Sequence, residues 1–207
     1  MQIITISPRG FGANTYILSE DGIHAIVIDP AQPRIVEEVE KRGFIPTHIL
    51  LTHCHFDHVG GVCALQEKGA KVLCSEQEKA LIGTDADLFA VFGAPRISYT
   101  VDEIFTDGEE KTLAGLSVKM LLTPGHTDGC ACYLFTSKEG GRYLFTGDIL
   151  FAGTIGRTDF PTGNIGKLRA SLRKLSALDG DMPIYPGHEE TTTLERERRT
   201  NPFMIDA

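Results

Sequence analysis

The chain opens with short apolar runs of the kind that form strands. Residues 3–6 alternate weakly, residues 14–18 follow, and residues 24–28 are rich in β-branched side chains until Asp29-Pro30 ends the run. Residues 33–42 change to a helical period, with Ile35, Val36 and Val39 as an apolar stripe and Gly43 as the stop. Residues 48–51 predict a short buried strand that runs directly into Thr52-His-Cys-His-Phe-Asp-His58. A helix over 59–68, a strand over 71–73 and a helix over 75–82 capped by Ser75 come next. Residues 83–100 keep neither period and predict a long surface excursion.

Periodicity returns in the second half. Residues 112–123 read as the two arms of a hairpin turning at Ala114-Gly115. Residues 130–136 and 143–146 are two further strands separated by a Gly140-Gly141 turn. Residues 165–178 form a strong amphipathic pattern with Leu168, Leu172 and Leu175 on one face. A short strand over 183–185 and a helix over 193–199 close the pattern. Strands interspersed with helices, no repeat and no break in composition predict a single domain, residues 1–207, of mixed α and β structure.

Composition narrows the function classes. A formal net charge of −8 leaves no overall basic footprint, so nucleic acid is not an expected partner. No run approaches the roughly 20 apolar residues that span a bilayer, and the first residues lack a signal-peptide pattern. The expected setting is the cytoplasm, away from membranes, with a small-molecule substrate. Five cysteines without a Cys-x-x-Cys spacing fit a reducing compartment, each as a small buried apolar residue.

The histidines carry the chemistry. Seven in 207 residues put about 0.2 of one in any six-residue window, yet the window from His53 to His58 holds three and an Asp. Strand geometry places residues i and i+2 on one face, so His53 and His55 can point at one spot with Asp57 nearby, while Cys54 turns inward. The following helix can bring His58 beside Asp57. Imidazole with carboxylate suits zinc, iron or manganese better than calcium or magnesium. Three more candidates, His126, Asp148 and His188, each follow a strand and a Gly that lets the backbone turn sharply. His24 and His48 read as ordinary strand residues.

His-x-His-x-Asp-His followed in order by Gly-His, Gly-Asp and Gly-His resembles the metallo-β-lactamase superfamily over residues 53–188. The resemblance implies an α+β fold, a four-layer αββα sandwich with metals at one edge of its two sheets. It implies that His53, His55 and His126 hold one ion, that Asp57, His58 and His188 hold a second, and that Asp148 bridges them. Gly156-Arg-Thr-Asp-Phe-Pro161, together with Tyr185-Pro-Gly-His and Thr191-Thr-Thr, is similar to the short glyoxalase II-like (hydroxyacylglutathione hydrolase-like) branch. The chain stops before the C-terminal helical region with which full-length glyoxalase II grips glutathione.

The implied activity is metal-dependent hydrolysis of a thioester such as a hydroxyacylglutathione. Two divalent ions, zinc first and iron or manganese next, share a water and lower its pKa toward neutrality. Asp57 would orient the resulting hydroxide. Arg157 either meets an anionic substrate group or pairs with Asp159 to hold its loop. The shared Gly156-Arg-Thr-Asp-Phe loop motivates an alternative, a mononuclear iron persulfide dioxygenase using only His53, His126 and Asp148. A lactone or ester hydrolase of the same fold is a further alternative.

Overall fold

The computed structural model describes residues 1–8 and 12–205. Strands β1 (Gln2–Ile6), β2 (Thr15–Ser19), β3 (His24–Ile28), β4 (Ile45–Leu50), β5 (Lys71–Cys74) and β6 (Glu103–Ile104) form one sheet in that order. The first two pairings are antiparallel and the remaining three parallel. The second sheet runs β7 (Glu110–Leu113), β8 (Leu116–Leu122), β9 (Ala131–Thr136), β10 (Arg142–Gly147), β13 (Pro183–Pro186) and β14 (Thr192–Thr193). Its one parallel pairing joins β10 to β13. Between them in sequence, β11 (Leu150–Phe151) and β12 (Thr154–Ile155) pair as a separate hairpin.

Alternation along the strands explains the layering. In β2, Tyr16 and Leu18 pack between the sheets, whereas Ile17 joins the outer cluster. In β9, Tyr133 and Phe135 face the first sheet, whereas Cys132 and Leu134 face outward. Each sheet is therefore apolar on both faces and must be covered twice. Helices α1 (Ile35–Lys41), α2 (Phe56–Val59) and α3 (Val62–Glu67) bury Ile35, Val39, Val59, Val62 and Leu65 on the outer face of the first sheet. Helices α5 (Ile165–Ser176), α6 (Leu194–Thr200) and α7 (Pro202–Ile205) bury Leu168, Leu172, Leu175, Leu194 and Met204 on the outer face of the second. The result is the expected αββα sandwich.

Departures from the sequence reading have local causes. The helix expected over 59–68 is shorter, α3, and is separated at Gly60-Gly61 from the single turn α2, which overlaps the expected span only at Val59. The Gly61 N–H donates to the Pro30 carbonyl at 2.6 Å instead of continuing the helix. A Cβ on Gly61 would lie 2.4 Å from Ile35 Cγ2, so the chain there is pressed against α1. The helix after Ser75 is a single turn, α4 (Glu76–Lys79), capped as expected by Ser75 Oγ accepting from the Glu78 N–H. β6, β11, β12 and β14 are two residues each, too short to show a period. The hairpin does turn at Ala114-Gly115, where both residues have positive φ.

One contact ties the two sheets at the edge where the histidine-rich loop begins. The Tyr133 hydroxyl of β9 donates to the Leu51 carbonyl at the end of β4, at 2.7 Å and fully buried. Tyr133→Phe should cost about 1–3 kcal/mol, because it strips a buried acceptor of a partner. The measurement is the urea midpoint at unchanged m-value; a midpoint equal to that of the parent would show that this bond contributes nothing.

Candidate metal centre

The candidate residues all lie just beyond the C-terminal ends of strands. β4 leads into residues 52–58, β8 into His126, β10 into Asp148 and β13 into His188. The glycines before these last three work differently. Gly125 and Gly147 have φ of 150° and 48°. Gly187 instead marks close approach: a Cβ there would lie 2.2 Å from Asp148 Oδ1 and 2.8 Å from His58 Cε1.

The seven predicted residues meet in one cluster. His53, His55 and His126 form one group able to hold an ion, and Asp57, His58 and His188 form another. His126 Nε2 faces His55 Nδ1 at 2.9 Å. The Asp148 carboxylate lies between the groups, with Oδ1 3.5 Å from His58 Nε2 and Oδ2 3.5 Å from His126 Nε2 and 3.4 Å from His188 Nε2. His188 Nε2 is also 3.4 Å from Asp57 Oδ2. Tetrahedral ligands about 2.0–2.1 Å from a zinc-like ion lie about 3.3–3.4 Å apart, and most of these separations match.

The donor atoms themselves point to a cation. His53 Nε2, His58 Nε2 and Asp148 Oδ1 are buried polar atoms without a hydrogen-bond partner. Three such atoms in one place would be costly without an ion to satisfy them. Charge gives the same answer. Burial would raise the Asp148 and Asp57 carboxyls, but the His58 charge and hydrogen bonds from His188 hold both below the usual range, Asp148 far below. Burial would lower His58 and His188, but Asp148 and Asp57 override it, driving His58 well up and His188 to about 9. Protons on these two imidazoles thus supply positive charge that two adjacent carboxylates demand. The first group is different. Burial, reinforced by neighbouring imidazoles, pushes His53 well down and His55 to about 3. Burial also lowers His126. Those three rings are neutral and ready to bind.

Outer contacts set the ring orientations. Thr52 Oγ1 donates to Asp29 Oδ2 at 2.6 Å and lies 3.1 Å from His53 Nδ1. Asp29 Oδ2 also lies 3.0 Å from His58 Nδ1. With Nδ1 of both rings donating into this network, Nε2 of both is left for the site. His126 Nδ1 donates to the Arg157 carbonyl at 2.7 Å. The loop carrying His188 is gripped by β2 and the residue before it: the Tyr16 hydroxyl donates to the Pro186 carbonyl at 2.6 Å, and Asn14 Nδ2 donates to the Glu189 carbonyl at 3.0 Å. The sequence reading missed Asp29, Thr52, Asn14 and Tyr16. Asp29 alone left a signal, an Asp-Pro at the end of a buried strand, which was read only as a stop; its φ of 46° is one that Asp tolerates.

His24 is exposed against Asp21 at 2.7 Å, and His48 sits in β4 beside Thr47, both apart from the cluster as expected. Cys54 is fully buried. A pocket opens over the cluster, walled by Phe56, Phe92, Phe151 and Phe160. Residues 83–100 supply Leu88 and Phe92 to this wall, so the excursion has a place in the site. Arg96 paired with the buried Asp87 at 2.7 Å clasps that segment. At the pocket mouth, the Arg157 guanidinium pairs with both Asp159 oxygens at 2.7 and 2.6 Å and stacks 3.8 Å over Phe160. Among the described residues, no helix is long and apolar enough to cross a membrane.

Comparison with known proteins agrees with this geometry. The family model of the metallo-beta-lactamase superfamily matches residues 8–188. A hydroxyacylglutathione hydrolase, GloC, from Haemophilus influenzae is 36% identical, the match covering 99% of this chain and 98% of the relative. The crystal structure of the BLEG-1 B3 metallo-beta-lactamase superposes with a TM-score of 0.88 at 28% identity, covering 98% of this chain and 99% of that one. TTHA1623, crystallised in a di-iron-bound form, superposes with a TM-score of 0.81 at 34% identity, covering 98% and 100%.

The unequal protonation of the two groups generates a prediction. At neutral pH, filling the neutral trio should release almost no protons, whereas filling the second group must displace those on His58 and His188. Metal-free protein titrated calorimetrically with zinc, in two buffers of different ionisation enthalpy, should release about one to two protons with the second equivalent only. Affinity for that equivalent should fall as pH drops below about 9, the value to which His188 is raised. Equal proton release at both steps would refute the assignment.

Proposed function

The chain belongs to the metallo-β-lactamase superfamily, and we propose that it is a two-metal hydrolase cleaving a thioester such as a hydroxyacylglutathione. The observation that carries this reading is the Asp148 carboxylate, with one oxygen turned to His58 and the other to His126 and His188. A carboxylate so placed could serve two ions at once. The presence of the second group, Asp57, His58 and His188, also favours a hydrolase over a mononuclear iron oxygenase, which would need only His53, His126 and Asp148. Similarity to GloC supports the thioester.

In this reading His53, His55 and His126 would hold the first ion, Asp57, His58 and His188 would hold the second, and Asp148 would join both. When bound, the two ions supply a water acidic enough to ionise near neutral pH and a Lewis acid for the substrate carbonyl. Zinc suits the imidazole-rich set, and iron or manganese are the other candidates. Asp57, only slightly exposed and facing the pocket, accepts a hydrogen bond from the attacking water and fixes its direction. The phenylalanine wall excludes bulk water and seats the apolar part of a small-molecule substrate. A thiolate leaves without a general acid, so no further proton donor is required. An anionic substrate group reaches Arg157 by displacing Asp159.

Protein reconstituted with zinc, iron(II) or manganese should release free thiol from lactoylglutathione, and metal-free protein should not. Absence of turnover with both the zinc- and iron-loaded forms would remove this substrate class.

Asp148→Asn keeps the shape but removes the charge that offsets repulsion between two dications. At least one ion should be lost and the rate should fall on the order of 100-fold or more. Elemental analysis beside the steady-state rate tests this; full two-ion occupancy with a near-normal rate would show that Asp148 does not bridge.

A further inference from the structure

Outside the cluster, α4 carries a fully buried carboxylate, Glu78. Among the described residues it forms no ion pair with Lys, Arg or His. Burying such a group costs free energy that an apolar side chain of similar volume would avoid. Its contacts show where that cost is offset. Oε1 accepts from the Cys54 N–H at 2.7 Å, and Oε2 accepts from the Thr127 hydroxyl at 2.6 Å. Cys54 lies between His53 and His55, and Thr127 follows His126. One side chain thus grips both loops that bring the first group of imidazoles together.

The grip has support beneath it. Ser75 Oγ donates to the Gly129 carbonyl at 2.7 Å and accepts from the Glu78 N–H at 3.0 Å. A Cβ on Gly129 would lie 2.1 Å from Glu78 N, so the two backbones are in direct contact. β4 and β8 belong to different sheets, and the loops that follow them share no ladder. One main-chain bond, Ala131 N–H to the Thr52 carbonyl at 2.9 Å, joins them at their base, and Glu78 ties them nearer the histidines.

We propose that Glu78 is a positioning residue for the first metal group: its carboxylate clamps the 52–58 loop to the 123–130 loop and sets the mutual placement of His53, His55 and His126. This inference rests on the reading that those three residues hold an ion. Shape matters more than charge. A Gln could keep an oxygen on the Cys54 N–H and offer its NH2 to Thr127 Oγ1, whose hydrogen would turn to Cys130 Sγ, 3.0 Å away.

The test is titration of metal-free protein with cobalt(II), following the visible absorption bands of each bound equivalent. Glu78→Ala should weaken the first equivalent by about 10- to 100-fold and shift its bands, with a smaller effect on the second. Glu78→Gln should retain most of the affinity. Thr127→Val removes one arm of the clamp while preserving side-chain volume, and should lower first-equivalent affinity with a band shift; it decides the matter if Glu78→Ala does not fold. First-equivalent binding by Glu78→Ala or Thr127→Val as tight as in the wild type, with unchanged bands, would overturn the proposal. So would equal losses at both equivalents, which would assign Glu78 to general packing. Failure of the wild-type protein itself to take up cobalt would instead overturn the metal reading, and this inference with it.

Discussion

Two carboxylates and five imidazoles share a space from which most water is excluded, and the rest of the structure answers to that constraint. Asp57 and Asp148 repel each other there, and burial penalises both charges. Without a metal, the compensation is protonic, on His58 and His188. Dications can replace those protons and satisfy the unpartnered nitrogens at the same time. A site of this kind is therefore poised to exchange protons for metal, and the asymmetry between its neutral and charged halves follows from where the two aspartates stand.

Holding such a cluster requires a rigid frame. The donors come from loops after four strands in two different sheets, and no single element could bring them together. Main-chain ladders fix each strand, and only single main-chain bonds, such as Gly187 N–H to the Gly147 carbonyl, join the loops beyond. The remaining gaps are closed by groups outside the seven: Asp29 and Thr52 connect His53 with His58, Tyr16 and Asn14 hold the His188 loop, the Arg157 carbonyl orients His126, and Tyr133 joins β9 to the end of β4. Glycine completes the arrangement where the backbone must approach, as at Gly156 and Gly187, both pressed against Asp148. The apolar layers beneath are ordinary in chemistry; their contribution is to fix where the strand ends lie.

The pocket above the cluster has a different character. Its walls are largely aromatic, and part of them comes from residues 83–100, whose sequence shows no regular period. The Asp87–Arg96 pair gives that segment a definite place beside Phe56. Among the described residues lining the mouth, the cation is Arg157, engaged by Asp159 on the same short loop. The described lining of the pocket is thus more apolar than positively charged.

The amphipathic pattern was enough to place most strands and helices, because both faces of each sheet must be buried and alternation records it. The candidate ligands were legible for a similar reason: metal chemistry demands particular side chains, so His53, His55, Asp57, His58, His126, Asp148 and His188 stand out by type and by the glycines before the last three. The break between α2 and α3 was not legible, since it comes from contact with α1, distant in sequence. Asp29 was visible only as a strand end, because its role lies in hydrogen bonds to Thr52 and His58 across the sheet. Glu78 looked like any polar residue in a short helix; burial between two loops gave it a different part. Local pattern and residue chemistry thus determined the elements and the donor set, whereas relative placement, ring orientation and proton distribution were decided by tertiary contacts, because each depends on atoms that only folding brings within hydrogen-bond or Coulomb range.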